Sequence, residues 1–286
     1  MPIEFFSADD SIHIRQSFDS PTIYMDHWAI RYFSNNLALQ DRFVTALKSK
    51  RGTLLLSNIS FTEFAEPEDS GNSYDAGIFI QRLLPNIYLT DFAFDKILDR
   101  EQLEVNNENR FWPSADLPQL KLLAELSPDG QIDIGIKRFF EMTHLTRNVM
   151  KASTKIVVDN IHDEFEKARR DPHYVHKARH VALDDKRSRT AIIMGELMRG
   201  FVLDGGSSLS RNDIFDFLHA VMPLNSCDYV LLDGSWEDRV KKMKQRMSKV
   251  KMAMAVAQCF SRKNNGIESF LANLEAFTFP ESRAIP

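Results

Sequence analysis

Four acidic residues stand where carboxylates can do chemistry: Asp26, Glu63, Asp216 and Asp233. Asp26 ends the β-prone run Thr22-Ile23-Tyr24-Met25, Glu63 comes soon after Thr53-Leu54-Leu55-Leu56, and Asp233 follows Tyr229-Val230-Leu231-Leu232. Asp216 belongs to a series, Asp213, Asp216 and His219, whose three-residue spacing puts the side chains on one helical face. Gathered carboxylates repel one another and are costly to bury unpaired, so a cluster of them shares protons or holds a cation. Oxygen donors without cysteine suit Mg²⁺ or Mn²⁺, and such an ion orients a water and neutralises charge during phosphodiester hydrolysis. Each acid also has a local role open to it. Ser60-Phe61-Thr62-Glu63 and Ser210-Arg211-Asn212-Asp213 read as capping boxes, Asp26 as a helix N-cap, and Asp233-Gly234 as a turn. The conjunction of four such acids at four equivalent strand ends favours a metal site.

Those positions require parallel strands whose carboxyl ends lie together. The runs at 22–25, 53–56, 86–90 and 229–232 are short and largely apolar, as strands covered on both faces are. Helical patterns alternate with them, from Trp28 toward the stop at Gly52 and from Ala76 to Leu84, and Glu63 is expected in the first turn of a helix after the second strand. The expectation is an α/β fold, an open parallel sheet of about four to five strands flanked by helices, with right-handed crossovers. Residues 1–20 read as an irregular lead-in with a short extended piece at 12–15. Residues 93–201 read as a helical insertion, with helices at 95–104, 116–126, 134–150, 154–170 and 172–198, which makes 1–92 and 202–286 the α/β domain. Residues 236–260 read as one basic helix, 266–274 as a final helix and 276–279 as an edge strand.

With 286 residues, 43% hydrophobic and 27% charged, the chain can bury a substantial core. Its formal net charge of −4 supplies no global attraction to nucleic acid, so binding there needs local patches. Lys241, Lys242, Lys244 and Arg246 form one candidate, and residues 167–189, with Arg169, Arg170, Lys177 and Arg179, another; a solvated helix face explains either run equally well. His173, His176 and His180 share a helical face, but zinc there lacks a fourth donor. The cysteines Cys227 and Cys259 form no disulfide framework, and neither a signal segment nor a membrane-spanning run is apparent, so a reducing cytoplasm and no membrane are expected.

Tyr24-Met25-Asp26, the stretch from Ser57 to Glu63 and the stretch from Asp216 to Asp233 resemble the successive signature acids of the PIN domain, a Mg²⁺/Mn²⁺-dependent ribonuclease fold with a parallel sheet between helices. In that family the first Asp ends strand one, a Glu sits in the helix after strand two, a third acid opens a helix and a fourth follows the next strand. The resemblance thus implies that Asp26, Glu63, Asp216 and Asp233 hold one or two ions and hydrolyse single-stranded or structured RNA, with Asp213, His219 and Ser57 beside the site. It covers about residues 20–92 and 205–245 and stops short of the middle third. It departs at Leu231, where many members carry a hydroxyl residue. Asp228 belongs to the opposite end of its strand. The alternatives are a non-catalytic PIN-like module that binds RNA or protein, and a metal-dependent phosphohydrolase of small esters, which lacks a paired Asp-x-Asp and a glycine-rich phosphate loop here. The resemblance also leaves open a homo-oligomer and an antitoxin-like protein partner.

Overall fold

The computed structural model describes residues 3–8, 11–65, 70–91, 94–103, 113–180, 187–204, 209–252 and 254–279. The lead-in is more regular than its sequence suggests: β1 (Ile3–Ala8) and β2 (Ser11–Gln16) pair as an antiparallel hairpin. Then β3 (Thr22–Met25), α1 (His27–Ser34), α2 (Leu37–Ser49), β4 (Thr53–Ser57), α3 (Asn58–Ala65), α4 (Gly71–Leu83) and β5 (Ile87–Thr90) build one half of an α/β sheet. Helices follow: α5 (Phe94–Leu103), α6 (Leu117–Leu126), α7 (Ile132–Leu145), α8 (Arg147–Arg170), α9 (Pro172–His180) and α10 (Arg189–Leu203). The chain returns to the sheet through α11 (Arg211–Ser226), β6 (Tyr229–Leu231), α12 (Gly234–Lys249), β7 (Gln258–Phe260) and α13 (Gly266–Glu275).

The sheet is parallel throughout, in the order β5-β4-β3-β6-β7. From β3 the chain steps outward through β4 to β5, then crosses back to lay β6 and β7 on the other side of β3. The direction of winding therefore reverses between β3 and β6, and in open α/β sheets the crevice beyond the carboxyl ends of the strands at such a reversal is the usual ligand position. Met25 lies opposite Leu231 there, and the Asp26 N–H donates to the Leu231 carbonyl at 3.0 Å, carrying the pairing one residue past the strand. Asp228 lies at the far end of β6, where its carboxylate accepts from the Thr22 N–H (2.7 Å) and hydroxyl (2.9 Å).

Alternation along each strand feeds two cores. Ile23, Met25, Leu54, Leu56, Leu89 and Leu231 face one of them, which is filled by rings from six helices, among them Phe33, Phe43, Phe79 and Phe270. Tyr24, Leu55, Val230 and Leu232 face the other, against α8, α10, α11 and α12. Both faces are dry, which is why the strands are apolar without interruption. The helices between β5 and α11 contribute to both cores, with Phe139 and Phe140 against Phe61 on one side and Phe165 against Phe217 on the other.

Several boundaries differ from the sequence expectation. The fifth strand is β7, inside the stretch read as continuing the basic helix, while 276–279 joins no sheet. The helix stops because Lys251 adopts φ 55° and the Met252 N–H turns back to the Met247 carbonyl (3.0 Å), and a three-residue strand is too short to show any period. The helix expected at 134–150 is divided at Thr146 between α7 and α8. Of 172–198, α9 ends at His180, α10 starts at Arg189, and 181–186 lie outside the described residues, as do the domain boundary at 92–93 and residue 104. Glu63 falls in the second turn of α3: the helix starts at Asn58, where Ser57 Oγ accepts the Ser60 N–H (3.2 Å), so no capping box forms at Ser60.

Candidate metal centre

At the reversal between β3 and β6, Asp26, Glu63 and His219 come together, each offering a ligand atom within 4.8 Å of the others. Three elements deliver them. Asp26 closes β3 and caps α1, accepting the His27 N–H on Oδ1 (2.7 Å), and is 4% exposed. Glu63 comes from α3, and His219, 1% exposed, from the middle of α11. His219 Nε2 lies 2.8 Å from Glu63 Oε2, yet the two are not aligned as a hydrogen bond, and both atoms are buried without a hydrogen-bond partner. At that distance the two are each other's ion-pair partners, the closest contact in the group.

A buried polar chain holds the imidazole from behind. Its Nδ1 meets the Tyr24 hydroxyl, which also bonds Ser60, and Ser60 Oγ lies 3.1 Å from Ser57 Oγ. Burial holds the Tyr24 hydroxyl well above its ordinary pKa, with Asp26 adding to the effect, so it stays neutral. With Nδ1 occupied in this way, Nε2 is the nitrogen presented to the carboxylates, as in histidines that bind metals. Ser57 therefore belongs to the support of the site.

Electrostatics register the crowding. Burial by itself would lower the pKa of His219, but Glu63, Asp26 and Asp216 outweigh it and lift the group to about 9. Asp216 is pushed up to about 7, first by burial and then by Asp26, against a hydrogen bond from Trp236. Burial opposes ionisation of Asp26 as well, yet His27 and His219 hold its carboxyl below the usual value. His27, missed in the sequence, completes the group: its Nδ1 lies 3.7 Å from Asp26 Oδ1 and 3.6 Å from Glu63 Oε1, which raises its pKa in spite of its burial. The one available signal was its place beside Asp26; for Tyr24 it was a phenolic hydroxyl two residues before Asp26 in a largely apolar strand.

The remaining sequence candidates lie elsewhere. Asp213 forms the capping box with Ser210, its Oδ2 accepting the Ser210 N–H at 2.8 Å. Asp233 is exposed and caps α12 through Ser235 N–H (2.6 Å), and it is not among the grouped atoms. On α12, Lys241 and Lys242 are exposed, Lys244 donates to the Ala257 carbonyl (2.7 Å) and Arg246 pairs with Glu196 (3.0 Å). The rings of His176 and His180 lie 4.7 Å apart, and among the described residues these histidines join no metal-binding group. Replacing Asp233 by Ala is accordingly expected to cost about 1 kcal/mol of stability through the lost cap and to leave Mn²⁺ affinity unchanged; urea melts and a Mn²⁺ titration of the variant measure both.

Among the described residues, no helix is long and apolar enough to cross a membrane. Comparison with protein-family models, with curated proteins and with solved structures finds no match to this chain.

Proposed function

We propose that the chain is a PIN-like, Mn²⁺- or Mg²⁺-dependent ribonuclease that hydrolyses RNA phosphodiester bonds. The observation that carries this reading is the convergence of Asp26, Glu63 and His219 at the sheet reversal, with Glu63 Oε2 and His219 Nε2 buried and facing only each other, at 2.8 Å. Two carboxylates and a neutral imidazole suit Mn²⁺ better than Mg²⁺, because the nitrogen donor favours the softer ion. A bound ion would supply an activated water and neutralise charge developing at phosphorus. The protein's own part is positional: Asp26 is fixed by the α1 N-terminus, His219 by Tyr24, and Asp216 adds a carboxyl on the open side. Both cysteines are free thiols, which accords with a reducing cytoplasm.

A second reading rests on His219. Lifted to about 9, its imidazolium is itself a cation among the carboxylates, so a module that binds RNA without cutting it would need no metal. Incubating end-labelled RNA with the protein in Mn²⁺, Mg²⁺ or chelator separates the two. The nuclease reading expects cleavage in Mn²⁺ that chelator stops and Asp26→Asn reduces to background. Cleavage that survives either treatment overturns it, and binding with no cleavage under any condition favours the second reading.

A further inference from the structure

The acids open onto a cleft of about 550 Å³ whose far wall belongs to α8. Its lining includes Glu63 and Asp216 on one side and Arg31, Arg147, Lys151, Lys155 and Arg211 around them, five cations to two carboxylates. This basic wall could not be recognised in the sequence, because Arg147, Lys151 and Lys155 are spread along one long helix among uncharged residues. Their spacing of four residues brings them to one face at about 6 Å intervals. That face is held over the site because α8 is anchored elsewhere along its length, through Val158 and Phe165 in the core, and packs on α3 and α11, the helices that carry Glu63 and His219.

Among the described residues the ion pairs of Asp26 and Glu63 are to His27 and His219, while Lys155 (2.5 Å) and Arg211 both turn to Asp159. A positive wall facing a recessed acidic pocket suits a polyanion that must bring one phosphate to the acids while its neighbours are held alongside. Phe215, half-buried in the same lining, offers apolar surface, and Asn72 and Asn212 offer amide groups, as single-strand channels do. Asp26 is 4% exposed and stands outside the cleft lining, so Glu63 and Asp216 are the carboxylates that a strand in the cleft would meet.

We infer that the face of α8 bearing Arg147, Lys151 and Lys155 is the phosphate track of a single-stranded nucleic-acid site, and that the basic face of α12 is not. The inference rests on the ribonuclease reading for the choice of ligand but concerns binding alone. The test measures the full chain in chelator, by fluorescence anisotropy, against a labelled mixed-sequence RNA strand and the same strand in a duplex, over a range of salt. Arg147→Glu with Lys151→Glu is expected to weaken single-strand binding at least about tenfold, and neutral Arg147→Gln with Lys151→Gln to lower the salt slope by about 1.4. Lys241→Glu with Lys242→Glu is expected to leave both unchanged. Circular dichroism melts confirm that each variant folds, and the neutral pair carries the test if the charge-reversed pair does not.

Equal affinity in the α8 variants, a larger loss in the α12 variant, duplex bound as tightly as the single strand, or no binding by the unaltered protein overturns the inference. The two readings fail separately. A strand bound through α8 yet left intact in Mn²⁺ removes the ribonuclease and keeps the track. Cleavage with unchanged KM in the α8 variants does the reverse.

Discussion

Raising the pH from about 5 to about 9 is expected to lower the melting temperature of the metal-free protein by roughly 10 °C, and saturating Mn²⁺ to reverse most of that loss at the alkaline end. The sign follows from two groups held above their ordinary values. Asp216, ordinarily near 3.8, titrates at about 7 in the folded chain, and His219, ordinarily near 6.5, at about 9. A group whose folded pKa is raised contributes stability that is complete below its unfolded value and is lost as the pH climbs through its folded value. Asp216 thus loses its contribution between about 4 and 7, and His219 between about 6.5 and 9. Taken singly the two shifts amount to about 6 kcal/mol over the range, and because each group's shift is partly caused by the other groups of the cluster the combined loss is on the order of 3 kcal/mol. His27 is shifted in the same direction, while Asp26, held low, loses its contribution only in more acidic solution.

On the proposed metal reading, a divalent ion would take the place of those protons. Binding needs His219 Nε2 unprotonated, so apparent affinity rises with pH and the stabilisation at about pH 8.5 exceeds that at about pH 6. At a hundredfold excess over Kd the linkage is worth about 2.7 kcal/mol. Glu63→Gln removes one of the three grouped atoms and is expected to abolish the Mn²⁺ response. Differential scanning fluorimetry across the pH range, with and without Mn²⁺, reads all of this. A wild-type melting temperature indifferent to Mn²⁺ at alkaline pH would leave the imidazolium as the cation of the cluster and end the metal reading.

The second large effect lies at the opposite end of α11. Asn225, 1% exposed, donates to Glu101 Oε1 (2.8 Å) and the Thr190 hydroxyl (2.9 Å) and accepts from Arg189 Nε (2.9 Å). The buried Glu101 carboxylate also takes the Thr190 N–H (2.9 Å) and hydroxyl (2.9 Å), and Arg189 reaches the Ala255 carbonyl at 2.5 Å. One amide therefore joins α5, α10, α11 and the approach to β7. Asn225→Leu keeps the branching at Cγ, is somewhat larger, and takes one partner from a buried anion and one from a buried cation, so it is expected to cost about 3–5 kcal/mol. Urea denaturation with an unchanged m value measures it. A loss below about 1 kcal/mol would mean that the network is satisfied in some other way. Because the same helix carries Asp216 and His219, Mn²⁺ binding by the folded variant is expected to weaken as well.

How much of the site could be read from the sequence depended on how local each placement is. Asp26 was legible because one residue type at the end of an apolar run fixes both the strand end and the N-cap. Glu63 was legible as an acid after the second strand, but its capping role was not sustained, since α3 starts earlier, at Asn58. The shared helical face of Asp213, Asp216 and His219 gave the direction of α11 correctly, while the end of the helix diverted Asp213 to capping Ser210. Asp233 looked equivalent to Asp26 because each follows a strand; the difference is that Asp26 is covered by α3 and α11, whereas Asp233 remains exposed at the start of α12.

By itself, then, the sequence determined the α/β class, four of the five parallel strands, the helical nature of the long middle segment and the end of the sheet where acids gather. These follow from apolar runs, helical periodicity and punctuating residues, all of which act over a few neighbours. Only the tertiary structure decided that His219 joins Asp26 and Glu63, that Tyr24 and His27 attend them, that β7 closes the sheet and that α8 rather than α12 walls the cleft. Those outcomes depend on which helix faces are buried against which others across nearly two hundred residues of chain. Local pattern shows that a face exists, but it takes packing to choose its partner.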